Sequence, residues 1–338
     1  MVRIKNSKNE AKMKFMPYYQ LENKKSIVVD GTPHPGTQLI LSHWRGSGTP
    51  THLLRDTSAE IVLDFLENNK ISSNLEFVSN DHFDQDGLIG IFSILNPEYS
   101  LSIKPLLIDI AEAGDFSKYR DRKAARIHFT IASMVERISN QESNMNLENS
   151  KRSALLYQEI LPKLRHIIEQ TERYREYWKI EDDFLQRSEE NIEKGIIKIT
   201  EDNENKIAFV DITGDLLSES YHWATFNKQA PVHDMAIHNR TPHVQLVYRQ
   251  GKKYGFKYRY ESWVTFQSYK FPLRVDLFPL CLQLNSMEKN PGHWTFSGAN
   301  DLVPVLAHEG ESSIQFPTFL EKLYTALKTS SVAWDPFI

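Results

Sequence analysis

Four apolar runs in the first third of the chain each stop at a polar residue able to bind a ligand, and the rest of the pattern is organised around them. Ser26-Ile27-Val28-Val29 reads as a buried strand ending at Asp30, and Thr37 to Ser42 as a second strand ending at His43-Trp44. Between them Gly31 to Gly36, with two prolines, makes a turn. Leu75 to Val78 is a third strand. After Asn80-Asp81-His82-Phe83-Asp84-Gln85-Asp86-Gly87, the residues Leu88, Ile89, Ile91, Phe92, Ile94 and Leu95 recur as in a largely buried helix. Asp56-Thr57-Ser58-Ala59-Glu60 has capping-box spacing and opens a helix whose buried face is Ile61, Val62, Phe65 and Leu66. Leu101, Ile103, Leu106, Leu107, Ile110 and Ala113 suit a buried helix that ends at Gly114, with Asp115 just beyond.

Further along, the period changes twice. From about 121 to 194 charges are dense and apolar residues fall at helical spacing, as in Leu155, Leu156, Ile160, Leu164, Ile167 and Ile168. From Ile196, alternating runs separated by turns such as Asn203-Glu204-Asn205 and Gln250-Gly251-Lys252 predict strands and hairpins, and Pro317 to Leu327 predicts a closing amphipathic helix. The fold class expected is α/β: an open, mainly parallel sheet flanked by helices, then a helical segment and a smaller strand-rich α+β domain. The expected divisions are a basic arm at 1–25, an α/β domain at 26–120, a helical connecting segment at 121–195 and a strand-rich domain at 196–338.

Composition narrows the function classes. At 338 residues with 40% hydrophobic content, 18 Phe, 14 Tyr and 6 Trp, the chain can bury two cores and is not a disordered segment. A net charge of -4 gives no strong pull towards polyanions. No apolar run approaches the roughly 18 residues of a membrane helix. Met1 to Gln20 is too charged for a secretory leader, and Cys281 is the single cysteine, so a cytoplasmic protein is expected. Lys5, Lys8, Lys12, Lys14, Lys24 and Lys25 read as a solvated basic arm, although an anionic ligand would also be drawn to them. There is no Walker loop and no Rossmann glycine pattern, which argues against a nucleoside triphosphatase or a nicotinamide enzyme.

The candidate chemistry lies at the strand ends. In an open α/β sheet ligands bind at the carboxyl edge. His82, Asp84 and Asp86 alternate along an extended stretch and so project to one side, with Gly87 releasing the chain into the helix. Carboxylates this close repel unless a cation lies between them, and a divalent metal is the natural neutraliser. The same residues also make an ordinary turn, because Asp bonds nearby backbone N–H groups. Arg45-Gly46-Ser47-Gly48-Thr49-Pro50 and the helix start at Thr57 could each receive an anion. Between Ala236 and Tyr260, Arg240, Arg249, Lys252, Lys253, Lys257 and Arg259 occur with no acid and interleave with Tyr248, Tyr254, Phe256, Tyr258 and Tyr260. That pattern suits a phosphate-bearing or nucleotide ligand, or a hairpin with a solvated basic face.

Taken together these strand ends resemble the DHH-type phosphoesterases. His82-Phe83-Asp84-Gln85-Asp86-Gly87 resembles the first motif of the archaeal RecJ-like members, and Asp30 the second-motif aspartate. Ser42-His43-Trp44, followed by the helix opening at Asp56 to Val62, resembles the third motif, and Ala111-Glu112-Ala113-Gly114-Asp115 the fourth. The resemblance spans about 26–116, roughly a quarter of the chain. It implies a two-metal site with His82 and Asp84 on one ion, Asp86 and His43 on the other, and Asp30 and Asp115 bridging. Mn²⁺ is the expected metal, with Mg²⁺ as the alternative. Asp84, Asp86 and His43 would be catalytic, in the hydrolysis of a phosphoester bond. The expected partner is a small phosphorylated substrate or short single-stranded nucleic acid, with no membrane. Arg45, Asn239, Arg240, Arg259 and Arg274 are the candidate substrate contacts. The chain departs from the family in three respects. The second and third motifs precede the first, as in a permuted or rewired fold; Ser42 and Trp44 replace the outer residues of Asp-His-His; and the glycine-rich Gly-Gly-Gly-His signature is absent. A non-catalytic nucleotide- or metal-binding regulator on the same scaffold is the alternative.

Overall fold

The structure is a computed structural model and describes residues 13–72 and 74–338. It is a mixed α/β protein, as the pattern predicts, and Lys5, Lys8 and Lys12 of the expected basic arm lie outside the described residues. A four-stranded, wholly parallel sheet comes first. Its strands are β1 (Lys14–Phe15), β2 (Ser26–Val29), β3 (Thr37–Leu41) and β4 (Phe77–Ser79), in the order β1-β4-β2-β3. All four residues of β2 are buried, because both faces of the sheet are covered. Ile27, Val29 and Leu41 face the helices α1 (Ser58–Asn68) and α2 (Gln85–Leu95). Val28 and Ile40 face Leu21, Met16 and Tyr18 of the N-terminal segment. The sheet is therefore helix-covered on one side and closed by a short irregular stretch on the other.

After a one-and-a-half-turn α3 (Pro97–Ser102), α4 runs from Lys104 to Asp115. The helix was expected to end at Gly114. It continues through Asp115, and Gly114 is there for closeness, since a Cβ on it would sit 2.6 Å from the Gln85 side chain. Helices α5 (Arg122–Ser139), α6 (Asn149–Ile160), α7 (Leu164–Glu169) and α8 (Arg175–Glu193) follow. The segment 121–195 is more than a connector: Ile127, Ile131, Leu156, Tyr157, Ile160, Leu164 and Ile167 share one hydrophobic core with the parallel sheet. Phe129 of α5 with Trp178 and Leu185 of α8 packs against Met235 and Ala236 of the C-terminal half.

That half is built on a second, six-stranded sheet made by β5 (Ile197–Asp202), β6 (Ile207–Ile212), β9 (Gln245–Gln250), β10 (Lys253–Tyr258), β12 (Trp294–Phe296) and β13 (Val305–His308). Its order is β12-β13-β10-β9-β6-β5, antiparallel except where β6 meets β9. Interposed in the chain are the hairpin β7 (Glu219–Trp223) and β8 (Phe226–Ala230), the short α9 (Asp234–His238), and a two-stranded ribbon of β11 (Arg274–Val275) with β14 (Val332–Trp334). Helices α10 (Phe278–Met287) and α11 (Phe316–Thr329) cover one face of the sheet through Leu280, Leu284, Phe319 and Leu323. Among the described residues no helix is long and apolar enough to cross a membrane.

Candidate metal centre

The six side chains singled out at strand and helix ends come together at the carboxyl edge of the parallel sheet. Asp30 leaves β2 with φ of +52°, a left-handed conformation that costs a non-glycine residue energy and concentrates at functional sites. It is fully buried and accepts a 2.7 Å hydrogen bond from Ser58 Oγ. Asp86 lies in the first turn of α2, where its two carboxylate oxygens accept the backbone N–H groups of Ser58 (2.6 Å) and Ala59 (2.7 Å) at the start of α1. The helix start that could have received an external anion is thus occupied by Asp86. Asp84 caps α2, taking the Gly87 N–H at 2.8 Å. Gly87 is helical and is not a hinge, and a Cβ there would lie 2.3 Å from Asn80 Nδ2 and 2.7 Å from the Tyr157 hydroxyl.

His43 decides what the cluster can do. Its Nδ1 lies 2.6 Å from the Asp56 carbonyl oxygen, which only accepts, so Nδ1 carries the proton and Nε2 is left with a lone pair. That lone pair faces Asp30 Oδ1 at 3.4 Å, Asp115 Oδ2 at 3.6 Å and Asp86 Oδ2 at 3.7 Å. His43 Nε2, Asp30 Oδ2 and Asp115 Oδ2 are buried and have no hydrogen-bond partner among the described residues. Asp30 Oδ1 and Asp86 Oδ2 have their donors on Ser58, but His43 Nε2 and Asp115 Oδ2 have none, so either a proton or a cation could supply the missing partner. His82 completes the other side. Its Nδ1 is 2.9 Å from Asp81 Oδ1, while Nε2 is 2.9 Å from Asp84 Oδ2 and 3.4 Å from Asp30 Oδ2. Two potential ligand sets result, Asp30 with His82 and Asp84, and Asp30 with His43 and Asp86, joined through Asp30. Donors about 2.1 Å from one ion stand roughly 3–3.5 Å apart, so these spacings suit ions of that size. The hydrogen bonds from His43 to a carbonyl and from His82 to a carboxylate are the supports that orient imidazole ligands.

The electrostatics agree. Burial, reinforced by the charge on Asp84, pushes the Asp30 carboxyl up to about 7. Burial and the neighbouring carboxylates hold Asp86 and Asp115 well above the usual range. Burial pushes His43 down to about 4, consistent with a neutral imidazole. Burial disfavours a charge on His82 too, but Asp84, with Asp30 and Asp81, holds it well above its ordinary value. Burial likewise works against ionising Asp84, and the His82 charge overrides it, keeping Asp84 below the carboxylate range. With protons alone for relief, the cluster takes them up; a divalent cation serves the same need better.

The C-terminal half closes over this centre. Thr265 donates to the His43 carbonyl through both its N–H (2.9 Å) and its hydroxyl (2.6 Å), and the N–H groups of Gln267 and Ser268 bind Asp56 Oδ1. At the tip of the β7–β8 hairpin, Trp223 Nε1 donates to the Asp115 carbonyl (2.7 Å), Ala224 N–H to the Gly114 carbonyl, and Gln85 Nε2 to the Ala224 carbonyl. Two cavities border the cluster. One, of about 620 Å³, is lined by Trp44, His82, Asp84 and Asp115, with Arg152 and Asn227. The other, of about 400 Å³, runs from Asp115 and Phe116 between Tyr221, Tyr248, Phe256 and the basic Lys228, Arg249, Lys253 and Lys257.

The five proposed substrate contacts have other surroundings, and among the described residues none is hydrogen-bonded or ion-paired to a cluster side chain. Arg274 spends its donors on Ser262 Oγ and on the carbonyls of Ala299, Asp301, Leu302 and Arg259, fully buried. Arg259 is ion-paired with the buried Glu261 and donates to the Thr241 carbonyl, although it also lines the smaller cavity. Asn239 holds the Tyr119 backbone from both ends. Arg240 is at the surface 3.8 Å from Glu193, and Arg45 binds the Ile338 carbonyl and stacks on Trp334. The sequence reading missed Asp81, which a carboxylate next to a candidate ligand histidine could have flagged. It also missed the parts of Ser58 and Trp223, while Tyr260 lies in the basic, aromatic stretch that the sequence marks for a phosphate-bearing ligand.

This is a mixed α/β protein with a buried carboxylate–imidazole cluster closed by its own C-terminal half. The chain belongs to DUF6687, a family of unknown function whose sequence profile matches residues 11–337, so cluster and cover fall in one family unit. No curated protein and no solved structure matches it.

Proposed function

We propose that this protein is a cytoplasmic, metal-dependent hydrolase that cleaves a phosphodiester or phosphoanhydride bond of a nucleotide, a short oligonucleotide or another small phosphorylated substrate. The observation that carries the reading is the His43 Nε2 lone pair, buried without a donor among three carboxylates. The resemblance of the strand-end motifs to DHH-type phosphoesterases supplies the reaction class. Two divalent ions, Mn²⁺ in preference to Mg²⁺ because imidazoles share the donor set, would lower the pKa of a water and neutralise phosphate charge.

The protein's own residues prepare that chemistry. Asp84 and Asp86 are anchored by backbone N–H groups and Asp30 by Ser58, so the ligand oxygens need little reorganisation. Asp81 orients His82, and the Asp56 carbonyl orients His43. The rings of Trp44, Phe116, Trp223 and Tyr260 surround the cluster and limit bulk water. Both cavities reach the cluster at Asp115 and give room for the groups that a diester or anhydride carries.

The test is hydrolysis of bis-p-nitrophenyl phosphate and a nucleotide panel with Mn²⁺ or with chelator, comparing wild type with Asp84→Ala. Activity that needs the metal and is lost in the variant is expected; turnover that persists in chelator or in the variant refutes the reading. The regulatory alternative is favoured by one contact. Trp44 stands where the DHH-type phosphoesterases have a histidine and packs on His82 with ring centres 4.8 Å apart. Asp84-dependent Mn²⁺ binding without turnover of any substrate would select it.

A further inference from the structure

None of the six cluster side chains is a neutral hydroxyl or amide that could donate to a bound oxyanion, and the C-terminal half holds a candidate for that part. Tyr260 opens the short turn Tyr260–Ser262 just after β10. It is 7% exposed, and it borders both cavities together with Asp115 and Trp223. Its ring is clamped by Trp263 at 5.8 Å, Trp223 at 5.6 Å and Phe116 at 6.1 Å between centres, and it approaches the His43 ring edge-on at 6.2 Å. The hydroxyl makes no hydrogen bond to any described residue. The ring stands against His43 and shares the lining of both cavities with Asp115, which places the residue beside the cluster.

We propose that the Tyr260 hydroxyl donates a hydrogen bond to a phosphate oxygen of the ligand at the cluster, making Tyr260 a catalytic residue contributed by the C-terminal half. The inference rests on the metal-dependent phosphoesterase reading above. It explains why the cover is fastened to the cluster backbone through Trp223 and Thr265 on either side of this ring in the chain: those bonds fix where the hydroxyl stands. The other phenols of the smaller cavity are committed elsewhere, Tyr221 and Tyr248 both to Asp234 and Tyr254 to the Ile314 carbonyl.

Inorganic phosphate titrated calorimetrically into the Mn²⁺-loaded protein tests this without turnover. Tyr260→Phe keeps the ring and removes only the donor, so phosphate affinity should fall by about ten- to a hundredfold, the worth of one hydrogen bond to a charged group. Mn²⁺ affinity and the thermal midpoint of the variant should match wild type, and the tyrosine ultraviolet difference signal on phosphate addition should vanish. Equal phosphate affinity in both proteins, with Mn²⁺ bound, overturns the role of Tyr260 and leaves the metal reading standing. Failure of the wild type to bind Mn²⁺ overturns both.

Discussion

Neutralising Asp30 should make the metal-free protein more stable and, at the same time, deaf to metal. The carboxyl is pushed up to about 7 by burial and by Asp84, against an unfolded value of about 3.9. A group whose folded pKa is raised contributes stability that is complete below the unfolded value and is lost as pH rises through the folded one. Over that span of about three pH units the loss is about 4 kcal/mol, at 1.36 kcal/mol per unit, in the absence of a cation. Asn at position 30 remains uncharged throughout, still accepts from Ser58 Oγ, and tolerates the positive φ better than most side chains. Metal-free Asp30→Asn should therefore exceed wild type at pH 8 by up to about 4 kcal/mol in urea unfolding, with the difference shrinking towards zero by pH 4. At a hundredfold excess over its dissociation constant, Mn²⁺ should return about 2.7 kcal/mol to wild type and nothing to the variant. If metal-free Asp30→Asn is the less stable protein at pH 8, or gains as much from Mn²⁺ as wild type, then Asp30 is not a charge held in place for a cation.

Two further outcomes probe the neighbours. Asp81→Asn should leave the fold intact and weaken Mn²⁺ binding by about ten- to a hundredfold, read by calorimetry, because the carboxylate that orients His82 is replaced by a weaker acceptor. Arg274→Met should cost about 3–5 kcal/mol in unfolding free energy by stranding four backbone carbonyls and Ser262; an unchanged urea midpoint would show that the guanidinium is not structural.

The site was more legible in the sequence than its surroundings, for a physical reason. Asp30, His43 and the Asp81–Asp86 stretch lie where parallel strands stop, and strands buried on both faces are written as continuous apolar runs whose ends are easy to see. Asp115 was placed correctly, but its helix was cut one residue short because a glycine in the last turn reads as a stop; Gly114 is spent on close packing against Gln85. The β7–β8 hairpin was not seen at all. Phe226 to Gln229 are exposed, and its buried side is made by docking on α2 and α4 from over a hundred residues away, which local periodicity does not record. The arginines misled for a related reason. A basic, aromatic stretch looks the same whether its guanidinium groups await a phosphate or, like Arg259, pair with a nearby acid and bind a backbone carbonyl.

The clasp of Trp223 on Asp115 joins residues 108 apart in the chain. Synthesis runs from the N-terminus and domains fold as they emerge, so all six cluster side chains are made well before the hairpin that covers them. Until the hairpin leaves the ribosome the cluster is therefore without its cover, and its enclosure is a late event in the life of the nascent chain. A polypeptide halted before Glu219 would carry every proposed ligand and neither the tryptophan clasp nor the tyrosine, which makes such a truncation a natural way to separate capture of a cation from whatever the finished protein does with it.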